Sequence, residues 1–310
     1  MACNIFDGLS VILIMKHWLV LILIVCSSAL AAAQQAPLLL SELLFQPRSG
    51  EAEYIELYNH GDTPLQLANY HIVRVLHDSL ATHYPLPTHT VMPHTYVAIS
   101  KDIASVQACY HIQTGAGLIE CDLPTYPNGG GSVVVATADS IVVDRLDYNP
   151  LMHSRLLRNK AGVALERRSF DRNTNDATNW FSASSLSGYG TPGYENSQSK
   201  EWLVEESAFE FSSTLLSPDG DDYQDELEIK YQMSDGSLSA RIDIYNARGQ
   251  HVRQLLNNAL LGTHGTIIWN GTDENEKTVM PGQYIVDITV YDLSGTQQTI
   301  RRAVACLLSH

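Results

Sequence analysis

Residues 54–58 read Y-I-E-L-Y and alternate aliphatic with polar or aromatic side chains. This period of two is that of a β-strand, whose successive side chains point to opposite faces of a sheet. Runs rich in β-branched or aromatic residues recur at 71–76, 95–100, 132–137 and 140–146. Turn signals such as P-N-G-G-G at 127–131 separate them. Short strands joined by Gly- and Pro-containing turns predict a β-sandwich.

A second set of alternating segments occupies the C-terminal third, at 227–232, 239–246, 266–270 and 283–291. Between the two sets, residues 182–199 are rich in Ser, Gly and Asn, which is typical of a domain end. Helical periodicity is never sustained beyond about two turns, so 101–109 and 151–158 are each predicted to hold at most one short helix. The predicted fold class is therefore all-β, with two tandem β-sandwiches after a signal peptide, the second of the size of an immunoglobulin-like sandwich.

The signal peptide is predicted over residues 1–33. Lys16 and His17 precede an apolar stretch at 18–25, and small residues at 28–33 offer a cleavage site. A permanent membrane anchor is the alternative, but the apolar run is short for a membrane span. We expect an exported protein with no transmembrane helix after signal removal. Both Met1 and Met15 are candidate start residues.

Three cysteines follow the predicted signal peptide, and export makes a disulfide permissible. Cys109 and Cys121 are close in sequence, with a loop-like segment at 113–117 between them. We therefore expect these two to form a disulfide. Cys306 is left over in an apolar C-terminal strand, where we expect a buried, inert thiol.

The overall charge argues against one class of partner. The chain has 310 residues and a formal net charge of −15, and most of the acidic excess lies after residue 200. Such a chain has no attraction for phosphate backbones, so nucleic acid is not an expected partner. An apolar fraction of 45% with 17% charged residues is that of a globular protein.

The densest acidic stretch is S-P-D-G-D-D-Y-Q-D-E-L at residues 217–227. Carboxylates this close repel one another unless water, backbone donors or a cation neutralise them. The candidate ligands of a structural Ca²⁺ are Asp219, Asp221, Asp222 and Asp225. The residue spacing of an EF-hand loop is absent. The alternative is a solvated acidic turn in which Asp221 or Asp225 caps backbone N–H groups.

Candidate catalytic carboxylates also occur near the first strands. Glu42, Glu53 and Glu56 would suit acid–base chemistry. We expect them instead on the outer face of a strand pair, where Arg48 or Arg74 would form ordinary cross-strand pairs with them. Nucleophile, zinc-protease and phosphate-loop motifs are all missing from the sequence, and its histidines lack zinc-ligand spacing. The sequence therefore predicts a protein that is not an enzyme.

Several motifs of the first sandwich occur in the order found in a known family: L-S-E-L-L-F-Q-P at 40–47, E-Y-I-E-L-Y-N at 53–59, L-Q-L-A-N-Y at 65–70, L-E-R-R at 165–168, N-W at 179–180 and T-P-G-Y-E-N at 191–196. On these motifs residues 38–196 resemble the lamin-tail domain, an immunoglobulin-like sandwich common in exported bacterial proteins. The family usually runs more compactly between strands, so residues 77–93 look like a longer hairpin. The resemblance implies an interaction module.

The second sandwich carries its own set of motifs: S-P-D-G-D at 217–221, I-D-I-Y-N-A-R-G at 242–249, W-N-G-T-D at 269–273 and V-M-P-G-Q-Y at 279–284. Residues 203–308 thereby resemble the immunoglobulin-like domain of flagellar hook-capping (FlgD-type) proteins. They are also similar to the C-terminal sorting modules of surface proteins exported by the type IX system. Residues 197–202 are the predicted linker between the two sandwiches.

We expect an exported, non-catalytic interaction, adhesion or structural protein of the cell surface, envelope or periplasm, with a protein or glycan partner. One alternative is an accessory module or subunit of an exported hydrolase of the nuclease type, because lamin-tail units occur beside such enzymes. A third hypothesis is a structural component that assembles by pairing of edge strands.

Overall fold

The computed structural model describes residues 37–76, 79–199, 209–233, 238–293 and 297–307. The predicted signal peptide at 1–33 lies outside these residues, and so do 200–208, which include the end of the predicted linker. In the described part of the chain, no helix is long and apolar enough to cross a bilayer.

The first sandwich contains twelve of the strands that the structure describes. In chain order they are β1 (Leu38–Leu44), β2 (Tyr54–Asn59), β3 (Leu65–Gln66), β4 (Tyr70–Leu76), β5 (Ser79–Pro85), β6 (Thr90–Val91), β7 (Tyr96–Ser100), β8 (Leu118–Glu120), β9 (Gly131–Thr137), β10 (Val142–Tyr148), β11 (Leu165–Arg167) and β12 (Trp180–Ser182). One short α-helix, α1 (Ile103–Cys109), follows β7, and 3-10 turns span Leu67–Asn69, Pro150–Met152 and Ala177–Asn179.

Two sheets enclose the first core. The larger has the strand order β12-β11-β1-β2-β7-β8 and the smaller β10-β9-β4-β5, while β3 and β6 form a short ribbon. Leu43, Ile55 and Leu165 of the larger sheet are buried in one cluster with Ile72 and Val133 of the smaller. The alternation read at 54–58 sets this arrangement, because it turns every second side chain of β2 into the core.

The second sandwich packs a three-stranded sheet, β13-β15-β18, with a five-stranded sheet, β14-β20-β19-β16-β17. Its strands are β13 (Phe209–Phe211), β14 (Leu215–Leu216), β15 (Leu227–Gln232), β16 (Ser239–Asn246), β17 (His251–Leu260), β18 (His264–Trp269), β19 (Gly282–Tyr291) and β20 (Gln297–Cys306). Trp269 is fully buried in this core with Ile229 and Ile244. Cys306 is buried there too, as expected.

The predicted all-β fold class is confirmed, and so is the short helix at the end of β7. Residues 151–158, predicted to hold at most one short helix, contain only the end of the 3-10 turn Pro150–Met152, which ends at His153 with its extended backbone. His153 is buried, and its Nδ1 lies 2.9 Å from Ser182 Oγ on β12. This long-range contact fixes the segment in a form that its local sequence does not indicate.

The two sandwiches belong to one compact unit, residues 38–310. Leu260 O at the end of β17 accepts hydrogen bonds from the backbone and side chain of Ser185, at 2.9 and 2.7 Å. The predicted linker boundary needs correction, because Ser197 and Gln198 are buried and bonded to β11. Packing against the first sandwich therefore continues at least to Gln198.

Candidate functional site

Three glutamates lie side by side on the outer face of the six-stranded sheet. Glu166 on β11 is the register partner of Glu42 on β1, and Glu42 is the register partner of Glu56 on β2. Their side chains are fully buried. Register partners have Cβ atoms about 4.5–5.5 Å apart, so the three carboxyl groups form one row, which we call the glutamate ladder.

Residues 190–198, G-T-P-G-Y-E-N-S-Q, cover the glutamate ladder and are called the strap. Each glutamate accepts a backbone N–H of the strap. The bonds are Thr191 N to Glu42 Oε1 at 3.0 Å, Gly193 N to Glu56 Oε2 at 2.7 Å and Gln198 N to Glu166 Oε2 at 3.0 Å. The carboxylates therefore satisfy backbone donors of a segment that belongs to neither sheet.

Gly193 illustrates how the local sequence makes this contact possible. Its φ of +88° is in the left-handed region, and a Cβ there would lie 2.8 Å from the side chain of Ala116. Only glycine combines that backbone angle with so close an approach. The resulting turn directs the Gly193 N–H at Glu56.

Burial dominates the electrostatics of the glutamate ladder. It raises the pKa of Glu42 and of Glu56 well above the ordinary glutamate value, and it raises the pKa of Glu166 to about 7. Negative charge on neighbouring members adds to the shift, most clearly for Glu42, where both Glu166 and Glu56 contribute. Desolvation disfavours the charged form, and like charges reinforce that effect.

The arginine pairing expected for these glutamates is wrong. Arg48 pairs with Glu51 at 3.3 Å, and Arg74 is exposed on the four-stranded sheet. Glu53 is separate from the glutamate ladder, because both its oxygens accept the backbone N–H of Tyr126 at 3.2 Å. The outer face was predicted correctly for Glu42 and Glu56 but not for Glu53, and a covering segment buries that face.

The acidic turn brings together three of its four predicted cation ligands. Carboxylate oxygens of Asp219, Asp221 and Asp225 lie within 4.8 Å of one another, whereas Asp222 is outside the group. No other trio of His, Cys, Asp or Glu gathers in this way among the described residues. The residue types and spacing suit an oxygen-ligated cation such as Ca²⁺.

Backbone donors already engage the carboxylates of this turn. Asp225 accepts the N–H of Gly220 at 2.7 Å and that of Asp222 at 2.8 Å, and Asp221 accepts the N–H of Tyr223 at 2.8 Å. Such contacts stabilise a tight turn without a metal. They correspond to the capping alternative drawn from the sequence, and Ca²⁺ binding stays a proposal.

The predicted disulfide is not formed, because Cys109 and Cys121 are both free thiols. Cys109 ends α1 and packs with the cluster around Tyr54 and Val106 on the outer face of the six-stranded sheet. Cys121, after β8, packs against the core between the two sheets. The sheet separates the two sulfur atoms, which proximity in sequence does not reveal.

An aromatic surface lies beside the strap on the same face of the sheet. Tyr58 stacks on Phe170 with ring centroids 4.1 Å apart, and it contacts Tyr96 at 4.6 Å. His60 and His94 flank Tyr58 at 5.9 and 6.5 Å. We call these five residues the aromatic platform. Its three larger rings are half-buried, so each keeps part of its surface accessible.

Sequence reasoning missed Glu166 and most of the aromatic platform. Glu166 is more than a hundred residues from Glu42 and Glu56, and Phe170 is more than a hundred residues from Tyr58. A single sequence does not give the register between β1 and β11. One usable signal was present. Glu56 occupies the polar position of an alternating strand beside L-S-E-L-L, which indicates paired glutamates on one face.

Comparison with known proteins leaves the family open. No protein-family model matches the chain, and no curated protein matches it either. Solved structures give weak likenesses. FlgD from Xanthomonas campestris, described for hook capping in flagellar assembly, is 21% identical over 32% of this chain and 64% of its own, with a TM-score of 0.23. The chain thus spans less than two thirds of that protein.

Two proteins of Porphyromonas gingivalis are similar at the same level. Dimeric latent PorU is 9% identical over 90% of this chain and 21% of its own, with a TM-score of 0.27. PorZ, a surface component of the type-IX secretion system, is 14% identical over 58% of this chain and 20% of its own, with a TM-score of 0.25. Likenesses this weak carry no conclusion about function.

Proposed function

We propose that this chain is an exported, non-catalytic protein of the cell envelope or surface that binds a protein or glycan partner through its first sandwich. The observation that carries the proposal is the engagement of the glutamate ladder. Its carboxylates would be the obvious groups for acid–base chemistry, yet they are fully buried and bonded to strap N–H groups. A catalytic carboxylate must instead reach a substrate proton.

The aromatic platform is the proposed binding surface. Partly exposed aromatic rings supply large contact areas at low entropic cost, and they stack on sugar rings or peptide side chains. Rigid strands position Tyr58 and Tyr96, which are register partners on β2 and β7. The second sandwich would act as a spacer, assembly or sorting module, a role that rests on its motif resemblance alone.

The test uses the mature chain on glycan and peptide arrays, with Tyr58→Ala and Phe170→Ala as variants. We expect both to lose binding by tenfold or more, as for aromatic hot spots worth about 2 kcal/mol. Tyr223→Ala, which removes an exposed tyrosine of the acidic turn, is the matched control and should bind normally. Equal binding by all variants would exclude the aromatic platform.

A hydrolase screen, including nuclease substrates, tests the non-catalytic part of the proposal. Turnover by the purified chain that is abolished by changing one acidic or histidine side chain would favour the alternative of a hydrolase. Fractionation of the source cells into medium, surface and periplasm tests the proposed location separately.

A further inference from the structure

We infer that the glutamate ladder is a proton-dependent latch: its buried carboxyl groups hold protons when the strap is closed, and loss of those protons loosens the strap and the junction with the second sandwich. Two features of the molecule support it: hydrogen-bond donors are scarce around the carboxyl groups at the strap, and the strap contacts the segment between β17 and β18. It concerns the regulation of the fold and does not depend on the proposed function.

Hydrogen-bond donors are fewest at Thr191, where a single hydroxyl hydrogen faces three oxygen acceptors. Thr191 Oγ1 lies 2.9 Å from Glu166 Oε1, 3.4 Å from Glu42 Oε2 and 3.4 Å from Asn196 Oδ1. One hydrogen serves one of these acceptors well. The remaining contacts are repulsive if both carboxylates are ionised. A carboxyl proton donated to Thr191 Oγ1 turns one repulsive contact into a hydrogen bond.

The Asn196 side chain cannot donate the missing hydrogen bond to Thr191, because the orientation of its amide is fixed. Its Nδ2 donates to Ser41 O at 3.0 Å and to Arg167 O at 2.9 Å. Reversing the amide would place its oxygen against both of these carbonyl oxygens. The Asn196 Oδ1 atom therefore remains an acceptor towards Thr191.

Glu56 adds a second, independent sign of a neutral carboxyl. Its Oε2 accepts the N–H of Gly193, whereas its Oε1 is buried with no partner at hydrogen-bond distance among the described residues. The Ser41 hydroxyl and the Tyr194 N–H favour the charged form, but burial outweighs them and raises the pKa of Glu56. A buried anion with an unpaired oxygen costs far more than a neutral carboxyl group in the same place. Glu56 is therefore the third member that gains from holding a proton.

Among the described residues, the groups that are shown to interact electrostatically with the glutamate ladder are acids. They are Tyr54 on β2, Tyr96 on β7, Tyr110 after α1 and Tyr194 in the strap. Glu195 of the strap interacts with Tyr96 and adds a further negative charge.

The two arginines that follow Glu166 in the chain, Arg167 and Arg168, have partners elsewhere. The guanidinium of Arg168 stacks over Phe181 at 3.6 Å. Arg167 lies 3.5 Å from Asp144. Among the described residues, no lysine, arginine or histidine forms an ion pair with Glu42, Glu56 or Glu166.

Ser197 connects the latch to the second sandwich. Its hydroxyl donates to Glu166 Oε2 at 2.7 Å, while its carbonyl accepts the N–H and the hydroxyl of Thr263 at 3.0 and 3.2 Å. Gly262 approaches so closely that a Cβ would lie 2.4 Å from the same carbonyl. A shift of Ser197 away from an ionised Glu166 would therefore disturb both contacts.

The sign of the pH effect follows from proton linkage. The folded state holds protons that the unfolded glutamates release at their ordinary pKa, so the stabilisation is fully present below about pH 4.5 and declines as pH rises. For Glu166 the decline ends near its folded-state pKa of about 7, and the raised pKa values of Glu42 and Glu56 give a decline of the same sign. The strap therefore loosens towards alkaline pH.

The experiment compares the mature chain with Glu42→Gln and Glu166→Gln, which are neutral at every pH. Melting temperatures and hydrogen exchange of strap amides, corrected for intrinsic rates, are measured at about pH 5 and pH 8.5. We expect the wild type to lose roughly 5 °C or more at the higher pH and to exchange its strap amides faster. Each Gln variant should lose at least half of that difference, whereas Glu120→Gln, an exposed change on β8 of the same sheet, should keep it.

Infrared spectroscopy provides a second readout in case a Gln variant fails to fold. The wild type at about pH 6 should show the carbonyl stretch of a buried protonated carboxyl group, and this band should fade towards alkaline pH. Absence of the band would overturn the inference, and so would a pH slope that is identical in all variants. Suppression of the wild-type slope by added Ca²⁺ would also overturn it, because a cation would then neutralise the glutamate ladder.

Discussion

Glu42 and Glu166 face each other across neighbouring strands, and both reach the one hydroxyl of Thr191, at 3.4 and 2.9 Å. Neither residue forms an ion pair in the described part of the chain. Two acidic side chains thus contact one neutral hydroxyl group. The contact also ties two central strands to the segment that leads into the second sandwich.

Removing that hydroxyl should destabilise the protein. Thr191→Val keeps the shape and the backbone N–H but leaves both carboxyl groups without their common partner. We expect a loss of about 1–3 kcal/mol in the free energy of unfolding, measured by denaturant titration at neutral pH. Thr191→Ser restores the hydroxyl and should recover most of the loss. Equal stability of Val and Ser variants would contradict the bridging role.

His153 should control stability on the acid side. Burial, with a smaller contribution from the charge of Lys160, lowers its pKa to about 4. Between the folded-state and unfolded-state pKa values the unfolded state therefore binds a proton that the folded state does not bind. The stabilisation present above about pH 6.5 is consequently lost as pH falls towards 4.

The loss from His153 should approach about 3 kcal/mol, since each pKa unit corresponds to roughly 1.4 kcal/mol. Urea titrations of the wild type and the variant between about pH 4 and pH 7 measure it as a difference, because the glutamate ladder contributes a pH dependence of opposite sign over part of this range. His153→Gln should remove the His153 contribution to the pH dependence of stability, although its own stability is lower because the residue is buried beside Ser182. His94→Gln, an exposed change, should not alter this pH dependence of stability. If His153→Gln does not alter it either, other groups cause it.

Calcium should stabilise the protein if the acidic turn binds it. A ligand at a hundred times its Kd stabilises the folded state by about 2.7 kcal/mol, so millimolar Ca²⁺ should raise the melting temperature by several degrees. Asp221→Ala should abolish the shift, while Asp222→Ala should keep it because Asp222 lies outside the oxygen cluster. A melting temperature that Ca²⁺ leaves unchanged would exclude the site.

The free cysteines predict a simple chemical result. Cys109 and Cys121 are partly exposed and Cys306 is buried, so two thiols of the mature chain should react with a thiol reagent in the native state and the third only in denaturant. Burial raises the pKa of the Cys109 and Cys121 thiols, so the reaction should be slow at neutral pH and faster at alkaline pH. A reducing agent should not change the melting temperature. A mass lower by two hydrogens would instead reveal a disulfide.

Local patterns predicted the strands well wherever one face is buried. The segments read at 227–232 and 239–246 coincide with β15 and β16, and 54–58 lies within β2. Strands such as β11 and β12 were missed because they have three residues each. So few residues show no period, and only the pairing of β11 with β1 and of β12 with β11 makes them strands.

The sequence by itself determined that this chain is all-β and that segments such as 54–58 turn every second side chain into a core, because these properties follow from side-chain periodicity within single strands. Only the tertiary structure decided that Glu42, Glu56 and Glu166 form one row beneath the strap, and that Cys109 and Cys121 lie apart. Strand register and the path of covering segments depend on contacts between distant residues. No local sequence pattern predicts those contacts or their free energy.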